Sequence, residues 1–269
     1  LILKELHSKF NPTLNLKLGK LSYNNVTLEK VNANLFFDDI NTLNLNNAYC
    51  FYYGKKMSVD AEIDMSKNLL TPFKTNFKVD DFAIENLLYT FNSFGYNQLE
   101  EPTKLTGIID LNASIKGIMN DSNGVNQKSL EAILSYKIKK LDIINFQPII
   151  DAGRIVFSEK RLDVIKFANI NSTIFLKDNL ISVPETNVQS TAFDFFVEGD
   201  IAKSSFTDLW ISIPLSNFKK RDLTTVPNRK SFDEAGRKIY LEVQSKDKGG
   251  LDYKIHLSEK KNRKSSNKN

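Results

Sequence analysis

The ten residues KMSVDAEIDM (56–65) alternate between polar and apolar side chains at every position. The apolar members occupy every second position, and they are Met57, Val59, Ala61, Ile63 and Met65. Successive side chains of a β-strand point to opposite faces, whereas a helix would spread these residues around its circumference. The stretch therefore predicts a strand with one dry and one wet face, which is typical of antiparallel sheets.

The same alternation recurs along most of the chain, for example over residues 130–138, 209–215 and 239–243. Short stretches rich in Asp, Asn and Gly, such as DDIN (38–41) and YGKK (53–56), lie between these segments and favour turns, because these residues tolerate positive φ. We predict a mainly β protein in which a long twisted antiparallel sheet forms a groove or an incompletely closed barrel. One extended apolar face is expected to contain Leu43, Leu45, Tyr49, Phe51 and Tyr53.

Two segments do not follow the strand alternation and are predicted to be helical. Ile84, Leu87, Leu88 and Phe91 are spaced as on one face of a helix, so a short helix is predicted near residues 82–94. Pro148 suits the first position of a second short helix. Both helices are expected to pack on the sheet. The predicted organisation is a β segment over 1–98, a second β region over 99–259 and a basic disordered tail over 260–269.

The net charge of +5 is concentrated in the last ten residues. This tail contains five basic residues and no acid, and without them the 32 remaining basic residues balance the 32 acidic ones. The body of the chain is therefore neutral, and no nucleic-acid partner is predicted. A basic tail is usually a solubilising, disordered end, and its alternative role is weak attachment to an anionic lipid surface.

Few residues of the chain suit catalysis or metal binding. The two histidines, His7 and His256, have no neighbouring metal ligand, and Cys50 is the only cysteine. The glycine-rich loops that bind phosphate and the GxSxG motif of hydrolases are both absent from the sequence. His256 is expected to be a solvated residue on a polar strand face. No catalytic residue, cofactor or metal site is predicted, and we expect the protein not to be an enzyme.

The stretch NLISVPETNVQSTAFDFFVEGDI (179–201) has the most contrasting faces. Phe193, Phe195, Val197 and Ile201 are expected on one face, and Asp194, Glu198 and Asp200 on the water-facing side. Apolar faces of this kind usually build the interior of a sandwich or barrel. The alternative is a face that stays open as a groove and holds acyl chains.

Five stretches of the second half have distinctive patterns of strand and turn. They are LTGIIDLNASIKG (105–117), SLEAILSYKIKKLDIINFQPI (129–149), INSTIFLKDNLISVPETNVQSTAFDFFVEGDI (170–201), TDLWISIPLSNF (207–218) and RKIYLEVQSKDKGGLDYKIHL (237–257). These stretches resemble the C-terminal region of the AsmA-like proteins, in patterns of strand and turn rather than in catalytic fingerprints. The resemblance covers roughly residues 105–257, and residues 14–92 match the preceding AsmA-type segment more loosely.

The resemblance implies a periplasmic protein of a diderm bacterium, anchored in the inner membrane by a helix that precedes the present chain. AsmA-like proteins are related to TamB-type and bridge-like lipid-transfer proteins, whose β-sheets line an apolar groove. Their roles concern phospholipid transfer and outer-membrane assembly, with acyl chains and outer-membrane assembly proteins as expected partners. The chain begins at Leu1, and we expect it to be the C-terminal portion of a longer protein.

Three functions therefore remain open. The first is an apolar groove that shields acyl chains, with candidate lining residues Met57, Val59, Ala61, Ile63, Phe193, Phe195, Leu209, Ile211 and Ile213. The second is a closed β-domain that acts as a structural or protein-interaction module of the cell envelope without binding lipid. The third is a lipid- or glycan-modifying enzyme, which needs a pocket with a buried His or acid pair.

Overall fold

A computed structural model describes residues 13–23, 26–38, 41–66, 70–90, 105–120, 124–146, 150, 162–202, 206–218, 224–225, 236–245 and 251–257. These residues form one antiparallel sheet of 14 strands. The strands are β1 (Leu14–Tyr23), β2 (Val26–Phe37), β3 (Thr42–Tyr52), β4 (Lys55–Asp64), β5 (Leu70–Ala83), β6 (Leu105–Asn120), β7 (Glu131–Ile144), β8 (Val164–Lys166), β9 (Ile170–Lys177), β10 (Leu180–Val188), β11 (Phe195–Ala202), β12 (Phe206–Pro214), β13 (Lys238–Ser245) and β14 (Leu251–His256).

Consecutive strands of the chain are neighbours in the sheet. The order runs from β1 to β14 without a crossover, except that the short strand β8 pairs with one end of β7 while β9 pairs with the rest of it. The sheet is not closed into a barrel, and among the described residues β1 and β14 are its edge strands. The mainly β fold that the alternation predicts, an open antiparallel sheet, is therefore confirmed.

The sheet is continuous between the two segments predicted at 1–98 and 99–259. Strands β5 and β6, one from each segment, pair from Leu70 opposite Asn120 to Ala83 opposite Ile108. The intervening residues 91–104 and the basic tail at 260–269 lie outside the described part of the chain. Both segments thus contribute to the same sheet.

β-Bulges shift the phase of several strands. In β3, Asn47 has a φ of 51°, and the register with β4 shifts between Leu45 and Ala48. The shift turns Tyr49 and Phe51 towards the polar face, where they lie opposite Ser58 and Lys56 of β4. The prediction that Leu43 and Leu45 share one face with Tyr49, Phe51 and Tyr53 is therefore wrong. The residues that follow Leu43 and Leu45 on the apolar face are Ala48 and Cys50.

Helix α1 (Ile84–Thr90) packs on the sheet within the predicted range, and residues 91–94 of that prediction lie outside the described part of the chain. Its side chains Ile84 and Leu88 are buried. The Tyr52 hydroxyl lies 2.8 Å from the Thr90 hydroxyl and ties the helix to β3. Of the second predicted helix only Ile150 is described, and it is helical and buried. Two 3-10 helices, at Gln127–Ser129 and Leu215–Phe218, complete the described elements.

The hydrophobic core lies along one side of the sheet. Helix α1 and the chain around β8 pack there against the ends of the central strands. Members of this cluster come from β3 to β12, and they include Tyr52, Val79, Phe82, Ile109, Ile143, Leu162, Ile165, Phe167, Val188 and Ile213. Because the packed elements cover only the ends of these strands, the remaining apolar length of the same face is not part of the core.

Candidate functional site

The register of the strands brings the predicted groove residues of β4 onto one face of the sheet. Residues directly opposite each other on paired strands share a face. The row that includes Ala61 crosses seven strands, through Thr75, Ile115, Ala132, Leu176, Ile181 and Ile201. Met57, Val59 and Ile63 alternate with polar residues on the same strand and lie opposite Val79, Phe77 and Phe73. These residues form the apolar face.

The candidates of the C-terminal strands lie on this same face. Within β11, Phe195 and Val197 alternate in phase with Ile201, which belongs to the row that starts at Ala61. Across the next strand pair, Ile211 lies opposite Val197, and Leu209 lies opposite Gly199. The apolar face therefore extends from β4 to β12, as the sequence pattern of both regions predicts.

The apolar face has a closed and an open part. Phe193 and Ile213 are only 8% and 3% exposed, and both belong to the core cluster. Met57, Phe195 and Ile211 pack at the border of that cluster. The remaining candidates are half-buried and lie outside the cluster, and they are Val59, Ala61, Ile63 and Leu209.

The sequence prediction missed half-buried residues of the central strands. Leu134, Ile174, Leu176 and Ile181 occupy the open part of the apolar face between the two groups of candidates. Their alternation is as clear as that of β4, so the sequence could have placed them on the apolar face. The alternation does not indicate which half of each strand the core covers.

Hydroxyl groups interrupt the apolar face at one point, which sequence reasoning also missed. Tyr136 of β7 lies opposite Ser172 of β9, whose Oγ is 2.6 Å from the Thr186 Oγ1. Thr186 donates to the carbonyl oxygen of Pro184 at 2.8 Å, so the Ser172 hydroxyl is the donor to Thr186. Burial raises the pKa of Tyr136. The sequence does indicate this polar point, because Ser172 alternates in phase with Ile170 and Ile174.

The opposite, polar face of the central strands is charged. Ion pairs join Lys74 to Glu62 at 3.6 Å and Lys116 to Glu131 at 2.8 Å. The pairs border an open cavity of about 430 Å³ that also contains Ile133 and Phe175, which are 50% and 42% exposed. The cavity belongs to the polar face because most of its lining residues alternate out of phase with the groove candidates. Ala61, Ile115, Ala132 and Leu176, which belong to the apolar row, also border this cavity.

Asp194 is buried, and the prediction that it faces water is wrong. Asp194 is only 1% exposed, and its Oδ1 accepts a hydrogen bond from the Ser190 amide at 3.2 Å. The Asp194 amide donates to Asn217 Oδ1, and Asn217 Nδ2 donates back to the Asp194 carbonyl oxygen. The residue precedes β11, so strand alternation does not determine its side. Glu198 and Asp200, which lie within β11, are half-buried.

His256 lies on the polar face as predicted, but it is not simply solvated. Its Nε2 is 2.8 Å from Glu242 Oε2, and the Glu242 side chain is only 4% exposed. The imidazole also packs on the Trp210 ring, with centroids 5.2 Å apart. These contacts join β12, β13 and β14 through their side chains.

Other chemistry is sparse in the described part of the chain. No group of three or more His, Cys, Asp or Glu side chains is placed there to hold a metal ion. Cys50 is buried, and burial raises the pKa of its thiol, which disfavours the reactive thiolate. No helix among these residues is both long and apolar enough to cross a membrane.

Comparisons with known proteins do not identify a family for the chain. No protein-family model, curated protein or solved structure matches the chain. The AsmA-like resemblance therefore stays a prediction that rests on strand and turn patterns.

Proposed function

We propose that the protein binds lipid acyl chains on the open part of its apolar face and has no catalytic role. The observation that carries the proposal is the half-buried apolar strip outside the core cluster, which crosses the sheet from β4 to β12. A soluble protein rarely leaves so extended an apolar surface without a partner.

Hydrocarbon suits this strip better than a polar ligand does. Most of its side chains are aliphatic or aromatic, and the backbone groups beneath them are paired in the sheet ladder, so few directional contacts are available. Each Å² of apolar surface that a ligand removes from water contributes about 25 cal/mol. Affinity would come from area rather than from a specific recognition residue.

The AsmA-like resemblance supports a cell-envelope setting for this activity. In that setting the chain is the periplasmic part of a protein anchored to the inner membrane of a diderm bacterium by a preceding segment. The bound lipid is then a phospholipid in transfer between membranes, and the protein contributes to outer-membrane assembly.

Adjacent residues on the two faces of β7 provide a matched test. Leu134 lies on the open apolar face, and Ile133 lies on the polar face. Leu134→Asp places a charge where acyl chains would lie, whereas Ile133→Asp introduces the same charge on the polar face. Native mass spectrometry of protein mixed with phosphatidylethanolamine vesicles should detect bound lipid on the wild type and on Ile133→Asp. Bound lipid should be reduced at least tenfold on Leu134→Asp, and equal loading of both variants contradicts the proposal.

The second candidate function is a structural or protein-interaction module of the envelope. The sequence predicts it as a closed β-domain, and the described sheet is not closed into a barrel. An open sheet supports the module only if a protein covers the apolar face. Wild-type protein that stays free of lipid in the same experiment would favour this candidate.

A further inference from the structure

Strand β1 forms a long edge of the sheet. Its residues Leu14 to Tyr23 pair with β2 over their whole length, and none of the described residues pairs with its other side. Within the described part of the chain, the backbone groups on that side are thus available to a further strand. Ten residues without proline form a longer edge than the six residues of β14.

The apolar face continues to this edge without a polar border. Leu14, Leu16, Leu18 and Leu21 lie opposite Leu35, Ala33, Val31 and Leu28 of β2. Leu14 and Leu21 are 48% and 44% exposed because β2 covers them from one side only. Edge strands commonly prevent pairing with an inward-pointing charge, and β1 has leucine at these positions. A partner strand would therefore need apolar residues on this face.

The polar face of β1 has positive charge only. Lys17 and Lys20 lie opposite Asn32 and Glu29, and the strand LNLKLGKLSY contains no acid. The other edge differs, because β14 contains both Asp252 and Lys254, which are 3.8 Å apart. Opposite charges on directly opposed cross-strand positions are favourable, and like charges are unfavourable. The β1 edge therefore favours a strand with carboxylates on its polar face.

The same lysines oppose pairing with a second copy of β1. If two copies of β1 pair antiparallel over their whole length, Leu16 of one copy lies opposite Leu21 of the other. In the same register, Lys17 of one copy lies opposite Lys20 of the other. The twofold symmetry of such a dimer creates this like-charge pair twice. A second copy is thus a poor partner for this edge.

We propose that β1 binds an extended segment of another protein by strand addition, and that this segment alternates branched apolar residues with Asp or Glu. The apolar residues extend the apolar face, the carboxylates meet Lys17 and Lys20, and backbone hydrogen bonds supply much of the affinity. This surface goes beyond the lipid-binding role and does not depend on it.

The probe is a fluorescent ten-residue peptide that alternates Val and Glu, compared with a peptide that alternates Val and Lys. Fluorescence anisotropy with the full chain at low salt should give at least tenfold tighter binding for the Glu peptide. Lys17→Glu/Lys20→Glu should reverse the preference. Lys128→Glu/Lys137→Glu, which makes the same change in net charge at exposed sites away from the edge, should retain it.

Hydrogen exchange of the complex should show new protection in β1 and none in β14. Three results overturn the proposal: equal or no binding of the two peptides, the same reversal in the Lys128/Lys137 variant, or protection outside β1. Protection of β1 in the free protein, together with a dimer in analytical ultracentrifugation, assigns the edge to a second copy and also overturns it. The Leu134→Asp variant, which should lose lipid, should still bind the peptide. A failure of the lipid proposal therefore leaves the test of the β1 edge unaffected.

Discussion

A Cβ atom added at Gly199 would lie 2.1 Å from the carbonyl oxygen of Asp208 on the neighbouring strand. Gly199 also has a φ of 138°, a conformation that side chains strongly disfavour. The two strands approach closely here, so neither can move away without losing the ladder between β11 and β12. We expect Gly199→Ala to lower the free energy of unfolding by more than about 2 kcal/mol.

Two other glycines serve as controls for this substitution in urea denaturation. Gly54 has a φ of 72° but open space around it, so Gly54→Ala tests backbone strain alone, at about 1 kcal/mol. Gly124 has open space and no positive φ, so its alanine variant should be close to wild type. A Gly199→Ala variant no less stable than Gly54→Ala would contradict the importance of the close approach.

The alternation predicts most of this architecture because it responds directly to burial of one sheet face. It predicts the strands, their antiparallel character and the shared face of Ala61 and Ile211. It does not predict the bulge at Asn47, which reverses the phase of β3 through a local backbone conformation. The burial of Asp194 likewise depends on Asn217, which is 23 residues away. The extent of the open strip depends on where helix α1 packs, which periodicity leaves undetermined.

Asp110 should make stability depend on pH. Lys139 Nζ and the Asp81 amide both donate to Asp110 Oδ1 at 2.8 Å, and these bonds hold the pKa of Asp110 below its ordinary value of 3.8. The unfolded chain therefore binds the proton more readily. The resulting stabilisation is fully present above the ordinary pKa and is lost as the pH falls through the lower, folded-state pKa. Asp110→Asn should reduce stability at pH 7 by about 1 kcal/mol, and this difference should shrink below pH 3.8.

Asp80→Asn is the matched control for the Asp110 experiment. Its carboxylate is 3.0 Å from Lys78, and both side chains are about 60% exposed, so the pair contributes little to stability. Urea denaturation between pH 7 and pH 2 should show a smaller difference from wild type for Asp80→Asn at every pH. A pH-independent difference for Asp110→Asn would exclude the ionised carboxylate as its cause.

The bond between Tyr52 and Thr90 should stabilise the attachment of helix α1. Thr90 Oγ1 donates to the Asn86 carbonyl oxygen at 2.6 Å, so the Tyr52 hydroxyl is the donor to Thr90. Tyr52→Phe keeps the ring, which stacks on Phe82, and removes the hydroxyl that donates to Thr90. A double-mutant cycle with Thr90→Val should give a coupling energy of about 1 kcal/mol in thermal or urea denaturation. A coupling near zero would show that packing alone holds the helix.

His256 should stabilise the last strand of the sheet. His256→Ala removes one hydrogen bond from the buried Glu242 carboxylate and the ring packed on Trp210. We expect an overall loss of about 1–3 kcal/mol. Hydrogen exchange should accelerate in β14, while β4 and β5 keep their protection. His256→Gln retains a possible donor to Glu242 and should recover part of the loss. Equal acceleration in all strands would indicate a global effect instead.

The closed and open parts of the apolar face should respond differently to the same substitution. Ile213→Asp buries an unpaired charge within the core cluster and should destabilise the lipid-free protein by several kcal/mol, or prevent folding. Val59→Asp places that charge on the half-buried strip, where water reaches it, and should cost about 1 kcal/mol or less. Urea denaturation of delipidated protein measures both effects. If Val59→Asp is as damaging as Ile213→Asp, the strip is a closed core and has no room for acyl chains.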